Sequence, residues 1–295
     1  MTVSVLAPAK INLTLDVTGR RPDGYHEIKS VMQAVDLADT VTLTLNDSGR
    51  ITLDVGGAPV PDDKKNTAFA AALAFFERIG RRDFGVHITL QKRVPMQAGM
   101  AGGSADAAGV LVGLNALTGA GLSTEELCAV GAKVGADVPF CVLGGTALAT
   151  GTGTRLKPLP AMPDCYIVAA KPPVGVSTAV AYQAIDNAPM LYRPDTDGMK
   201  RALQQGRLDR VGKLLCNVFE HALALPEVEQ LVTAMRAFAP LGCCMTGSGS
   251  VVFALFADKA QAEDCAAELQ KTYTEVFVCH PYSAGAQVIN QKEDL

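Results

Sequence analysis

Residues 95–110 read PMQAGMAGGSADAAGV. Glycines at 99, 102 and 103 permit positive φ and close backbone approach, and the alanine-rich run that follows reads as a helix. A helix start directs free N–H groups, and the positive end of its dipole, at whatever sits in the preceding loop. Such a junction can hold a phosphate. It can equally be a strand-to-helix turn whose small residues serve packing. The stretch lacks the lysine of G-x-x-x-x-G-K-[ST], and G-x-G-x-x-G occurs nowhere in the chain. Charge neutralisation for a phosphate would therefore come from elsewhere. Ser104 can offer its hydroxyl to a phosphate or a metal. Asp106 suits the dipole but would repel a phosphate if it faced inward, so it is expected to point away or to help hold a cation.

Composition narrows the classes. The chain has 295 residues, 48% hydrophobic and 19% charged, with a formal net charge of −4. That is enough apolar material for one large domain or two ordinary ones, and not a disordered composition. No basic stripe is available for a nucleic-acid backbone. No signal-peptide pattern opens MTVSVLAPAKINL, and no apolar run approaches the ~20 residues of a membrane span. A cytoplasmic protein is expected. The eight cysteines form no C-x-x-C pair, which fits free thiols in a reducing compartment.

Outward from the glycine loop, alternation marks strands at 10–18, 41–45, 51–55 and 86–91. In KINLTLDVT, residues Ile11, Leu13, Leu15 and Val17 share one face, with Lys10, Asn12, Thr14 and Asp16 on the other. A helix is expected from about Asn66. Another follows the loop, with Val110, Leu111, Leu114 and Leu117 on one face. A third starts at Ser123, whose spacing to Glu126 makes a capping box, and ends near Gly135. A second region opens around LPAMP (159–163), with strands at 165–170, 251–256 and 275–280 and helices at about 177–239 and 258–271. The expected domains are 1–160 and 161–283, with 284–295 a loosely held tail.

Three further places carry possible chemistry. Asp137 is the only charged residue between Lys133 and Arg155. It is either the N-cap of a short helix with Pro139 in its first turn, or a general base needing a cationic partner, for which Lys10 is a candidate. Tyr25-His26 follows the turn Arg-Pro-Asp-Gly. The pair could hold a ring-shaped ligand or could be a surface loop. It does not open H-E-x-x-H, because Ser30 stands at the second histidine position. Thr246-Gly247-Ser248-Gly249 could be a second backbone wall or a hairpin turn.

Taken in order, Pro8-Ala9-Lys10-Ile11-Asn12-Leu13, the loop Pro95 to Ala105 and Thr246 to Gly249 resemble the three motifs of the GHMP family of small-molecule kinases. GRRPDGYHEIKSVMQAVDLADTV and GADVPF resemble the branch that phosphorylates a cytidine-diphosphate-linked methylerythritol. The resemblance implies an α+β, two-lobed fold. It has an N-terminal mixed α/β ATP-binding domain, a C-terminal ferredoxin-like domain and an active site in the cleft between them. It implies ATP as co-substrate, with Mg²⁺, and a small-molecule partner carrying a cytidine diphosphate group. Nucleic acid and membrane are not implied, and a monomer or weak homodimer is expected.

Residue by residue, the resemblance makes Asp137 the base for the 2-hydroxyl and Lys10 its ionising and orienting partner. The loop Pro95, Met96, Gln97, Ala98, Gly99, Met100, Ala101, Gly102, Gly103, Ser104 and Ala105 would wrap the ATP phosphates. Asn66 and Lys92 would lie near the ATP nucleoside. Tyr25 and Tyr182 would sandwich the cytosine, His26 would hydrogen-bond its edge, and Asn12 and Thr178 would line the same pocket. Thr246, Gly247, Ser248 and Gly249 would form the second glycine loop. This loop departs from the family at Gln97-Ala98, at Ala101, which is compatible only with negative φ, and at Ala105, which leaves Ser104 alone as a possible Mg²⁺ ligand; Asp106 follows directly. Alternatives are a mevalonate- or homoserine-type kinase of the same family, or a non-catalytic nucleotide-binding protein on the same fold.

Overall fold

A computed structural model of the chain describes residues 1–56, 64–81, 85–188 and 192–289. Two long strands come first, β1 (Thr2–Arg20) and β2 (His26–Asn46), paired antiparallel along almost their whole length. Next come β3 (Ile51–Gly56), α1 (Thr67–Arg78), β4 (Gly85–Gln91), α2 (Gly102–Thr118), α3 (Thr124–Gly131), α4 (Val138–Leu143), β5 (Thr146–Gly151) and β6 (Arg155–Pro158). The second half contains β7 (Tyr166–Ala170), α5 (Thr178–Asn187), α6 (Thr196–Gln204), α7 (Leu208–Lys213), β8 (Cys216–Asn217), α8 (Val218–Leu223) and α9 (Pro226–Arg236). It closes with β9 (Gly242–Met245), β10 (Val252–Phe256), α10 (Lys259–Leu269), β11 (Val276–Cys279) and β12 (Gln287–Ile289).

The large sheet runs β12-β1-β2-β4-β3, with β5 also on β2, β6 on β5 and β8 on β1. The small sheet runs β11-β7-β10-β9, antiparallel throughout. Its order and its βαββαβ sequence of elements are ferredoxin-like, as the α+β reading expected. The two halves interlock. Thr14 of β1 pairs with Cys216 of β8, and Val35 of β2 bridges to Pro281.

Several local expectations hold. Asn66 caps α1 by accepting from the Ala68 N–H, and Ser123 and Glu126 form a complete capping box on α3. α3 ends at Gly131, short of the expected Gly135, and turns carry the chain on to Asp137. α2 is buried on more than one face, continuously from Ala105 to Leu111, with Leu117 only partly covered. It lies so close to the sheet that a Cβ on Gly109 would meet Val41 at 2.8 Å and one on Gly113 would meet Leu43 at 2.5 Å. Glycine in mid-helix is thus a packing requirement that outweighs its propensity cost of about 1 kcal/mol.

The stretch after Tyr25, where no alternation marks an element, is the first half of β2, and both its faces are covered. Two expectations are corrected. The apolar residues of KINLTLDVT do not share one core. Ile11 and Leu13 pack with Val35, Met100 and Phe253, whereas Leu15 and Val17 pack with Phe140, Phe219 and Phe256. A register shift between Asn12 and Thr14 separates the two pairs. The tail is not loose up to residue 289. Ala286 N–H donates to Cys141 O at 2.8 Å, Gly285 backs directly onto Gly144, and β12 pairs with Ser4, Val5 and Leu6. Residues 290–295 lie outside the described residues.

Candidate active site

The cleft between the halves is a cavity of about 1240 Å³. Its floor is a knot around Lys10 and Asn12 of β1. Lys10 is 3% exposed. Its Nζ donates to Asn12 Oδ1 and to Gly99 O, both at 2.8 Å, and stands 3.7 Å from Asp137 Oδ2. Asn12 Oδ1 also accepts from Thr246 Oγ1 at 3.1 Å and from the Gly247 N–H at 3.0 Å, while its Nδ2 donates to Ser30 Oγ at 2.8 Å. Asn12 thus borders the cavity, as expected of a pocket residue, but its polar atoms are occupied inside the protein. It fixes Lys10 and ties the second glycine loop to the first strand.

The two glycine loops cross. A Cβ on Gly99 would sit 2.0 Å from Thr246 O, and one on Gly247 would sit 2.6 Å from the Gly99 backbone. Both glycines have positive φ, +74° and +57°. The TGSG segment is therefore more than a hairpin turn, because it braces the loop over the cavity. Within that loop Gln97, Gly99 and Ala101 all have positive φ. Ala101, at φ 62°, departs from the negative φ expected for it. It precedes Gly102 in the left-handed region, where a non-glycine residue costs roughly 1–2 kcal/mol. No side chain caps α2, so its first N–H groups are left for a ligand.

Met100 and Ala105 are corrected as phosphate contacts. Both are fully buried, Met100 in the core beside Ile11 and Ala105 in the core beneath α2. A hydroxyl at 105 would face apolar side chains, so the loop loses no ligand there. Ser104, Gly102, Gly103, Ala101 and Pro95 to Gly99 do border the cavity. Thr67 Oγ1 donates to Gly103 O at 2.6 Å and brings the start of α1, with Asn66, to the same wall.

Beneath the loop lies a buried group that sequence reasoning missed. Lys92 Nζ donates to Asp106 Oδ2 at 2.6 Å and to Asp39 Oδ2. Asp39 Oδ1 accepts from the N–H groups of Arg93 and Val94 at 2.5 and 2.9 Å. Asp106 therefore does help hold a cation, and that cation is the Lys92 ammonium. Burial pushes the Asp106 carboxyl up to about 7 against the pull of Lys92, and the charge of Asp39 adds to the rise. For Lys92 burial acts downward, but the two aspartates outweigh it and the ammonium is held above its ordinary value. Asp106 Oδ1 is buried without a hydrogen-bond partner. Asp39 gave at most a weak local signal, a carboxylate near an apolar run that also contains Asp36.

Asp137 sits at the start of α4 with Pro139 behind it, yet its side chain makes no capping bond. The N-cap position is thus real, but the carboxylate is free to face the cavity, one-third exposed, beside Lys10. Across the cavity, Tyr182 on α5 lies edge-on to Phe219 and stacked on His26, with ring centroids 4.5 Å apart and planes 17° apart. Burial, and secondarily the Asp137 charge, push the Tyr182 phenol up to about 12. Tyr25 also borders the cavity but is 68% exposed. Thr178 Oγ1 lies 3.5 Å from Ser248 Oγ, so the start of α5 meets the second glycine loop. Among the described residues no cluster of three or more His, Cys, Asp or Glu side chains is arranged for a metal.

The family model described as GHMP kinases N terminal domain matches residues 66–145, and that described as GHMP kinases C terminal matches 199–275. The chain belongs to the GHMP kinase family. It is an ATP-dependent small-molecule kinase. A Brevibacillus brevis protein named 4-diphosphocytidyl-2-C-methyl-D-erythritol kinase is 46% identical over 280 residues, covering 94% of this kinase and 96% of its own chain. A Listeria monocytogenes protein of the same name is 41% identical over 293 residues, covering 99% and 100% of the two chains. Among solved structures, a 4-(cytidine 5'-diphospho)-2C-methyl-D-erythritol kinase aligns with TM-score 0.78 at 34% identity over 96% of this kinase and 100% of that chain. Homoserine kinase from Cytophaga hutchinsonii aligns with TM-score 0.79 at 23% identity over 98% and 97%, a likeness of fold. No helix among the described residues is long and apolar enough to cross a membrane.

Proposed function

We propose that this kinase transfers the γ-phosphoryl group of ATP to the 2-hydroxyl of 4-diphosphocytidyl-2-C-methyl-D-erythritol, a step of the non-mevalonate route to isoprenoid precursors. The observation that carries the mechanism is the uncapped Asp137 carboxylate at the cavity wall, 3.7 Å from a buried lysine that also holds the glycine loop. Asp137 takes the proton of the hydroxyl as its oxygen attacks the γ-phosphorus. The bond to the bridging oxygen breaks and ADP leaves. A base placed in this way contributes about 10²–10⁴-fold. Lys10 sets a positive charge beside the Asp137 carboxylate and the incoming hydroxyl. Because Lys10 also grips Gly99 O, base and phosphate loop are positioned by one side chain.

The N–H groups at the start of α2 and the helix dipole receive the phosphates. Mg²⁺, when bound with the nucleotide, screens phosphate charge. Such an ion needs only one or two protein oxygens besides phosphate and water. Ser104 would hold it, and the orphaned acceptor on Asp106 two residues on suits a cation-bearing ligand. Asn66 and Lys92 lie on the side assigned to the ATP nucleoside. Tyr25, Tyr182, His26 and Thr178 form the side assigned to cytosine. Support for this substrate comes from relatives of that name at 41–46% identity over almost the whole chain.

A coupled ADP-release assay decides the matter. Turnover with the cytidyl substrate and none with mevalonate or homoserine is the expected result. Turnover with mevalonate or homoserine alone would move the kinase to another branch. ATP binding by calorimetry without transfer to any of these alcohols would make it a nucleotide-binding protein on a kinase fold.

A further inference from the structure

The end of the β1–β2 hairpin is held by α5 in a way that phosphoryl transfer does not require. Arg20 and His26 are cross-strand partners there. Asp186 lies one turn beyond Tyr182 on α5 and reaches both. Its Oδ1 is 2.8 Å from His26 Nε2 and its Oδ2 is 3.5 Å from Arg20 Nη1. The two contacts fix the orientation of the carboxylate. The His26 hydrogen bond holds the Asp186 carboxyl below its ordinary value against the opposing effect of burial, and the charge of Arg20 adds a little.

An ionised carboxylate only accepts hydrogen bonds, so the histidine nitrogen facing it carries the hydrogen. A neutral imidazole then keeps its lone pair on Nδ1. Among the described residues Nδ1 of His26 has no hydrogen-bond partner, although the side chain is only 9% exposed. The ring plane is fixed as well, because His26 lies almost parallel on Tyr182. A base hydrogen-bonded in the plane of that imidazole would lie parallel to the Tyr182 ring.

Resting on the cytidyl-substrate reading above, we propose that Asp186 is a positioning residue that holds His26 as its Nε2–H tautomer, so that Nδ1 accepts from the exocyclic amine of cytosine. Uracil carries a carbonyl at the place of that amine and would set an acceptor against the Nδ1 lone pair. Asp186 thereby becomes a determinant of base selection without touching the base. The logic is that of a carboxylate orienting a histidine whose other nitrogen does the work.

The test uses the full-length kinase with the cytidyl substrate and its uridyl counterpart. Asp186→Ala is expected to lower the cytidyl-over-uridyl ratio of kcat/KM by about tenfold, the weight of one hydrogen bond, with KM for the cytidyl substrate rising more than kcat falls. Asp186→Asn should restore most of the ratio, since its amide oxygen accepts the same bond. In ¹⁵N spectra of the free wild-type kinase, His26 should show a protonated Nε2 and a pyridine-like Nδ1. Asp186→Ala should average the two nitrogens. An unchanged ratio in Asp186→Ala overturns the proposal, as does a wild-type His26 protonated on Nδ1 or on both nitrogens. Absence of wild-type turnover of the cytidyl compound would sink the substrate reading, and base selection with it. The spectra judge the Asp186–His26 pairing separately.

Discussion

The two walls of the cleft are built from different materials. On the side proposed for the phosphates, backbone crosses backbone: Gly99 lies on Thr246 and Gly247, and Lys10 and Asn12 lock the crossing from below. On the side proposed for the base, ring lies on ring at the end of a hairpin, with His26, Tyr182 and Asp186 meeting through side chains alone. A backbone wall tolerates almost no added atom, and on the proposed reading it would meet a shape common to every nucleotide. A side-chain wall would, on the same reading, meet one edge of one base, with a hold that depends on tautomer and ring plane. The proposal thus divides the cleft between a generic task and a specific one.

The largest effect should come where the walls meet. Asp137 is beside Lys10 on one side and close enough to Tyr182 for its charge to act on the phenol. Asp137→Asn should lower kcat by about 10²–10⁴-fold, while calorimetry finds ATP affinity retained. A near-normal kcat would remove the general base. Next in size is the support beneath the backbone wall. Lys92→Met would strand two buried carboxylates, Asp39 and Asp106, at a cost of about 3–5 kcal/mol, read by urea unfolding. Adding Asp106→Asn should recover part of the loss. Stability unchanged by Lys92→Met would mean that the group is not a brace.

Gly99→Ala tests the crossing itself. Its φ of +74° and the Thr246 carbonyl 2.0 Å from the added methyl leave no room without moving one loop. A loss of about 1–3 kcal/mol is expected, with weaker ATP binding in proportion. The KM for the cytidyl substrate should change less, because the hairpin end takes no part in the crossing. Equal changes in both would mean that the walls are one unit.

What was legible in the sequence follows the same division. The glycine loop, the TGSG turn, Lys10 and Asp137 stood out because each carries a local signature, either small residues at a turn or a lone charge in an apolar run. The capped helices at Asn66 and Ser123 were legible for the same reason. The first half of β2 was not, because a strand covered on both faces shows no period of two. The Lys92 group was hidden by distance, with Asp39 53 residues away in sequence. Single charges in a sequence look like surface until a fold pairs them. Ala101 and Ala105 were misjudged in opposite directions. One takes a positive φ without being glycine, and the other faces the core, where a hydroxyl would have served nothing. Asp186 carried no signal at all, since a carboxylate late in a helix of mixed polarity is the commonest of surface residues.

Tyr25 offers the smallest effect and the cleanest separation. It is 68% exposed, borders the cavity and makes no ring contact with Tyr182 among those described. Its removal should therefore leave the unfolding midpoint unchanged, since an exposed side chain away from special backbone or buried partners shifts stability within about ±0.5 kcal/mol. If it closes over a base held parallel to Tyr182, Tyr25→Ala should raise KM for the cytidyl substrate roughly tenfold, within the range of one lost base stack, and leave KM for ATP alone. Equal rises for both substrates would place Tyr25 on a surface shared by the two walls, and no rise for either would leave the hairpin tip outside recognition. Set beside Gly99→Ala, the result separates the materials. A methyl added to the backbone wall should act through stability and ATP, whereas a ring removed from the side-chain wall should act through one substrate only.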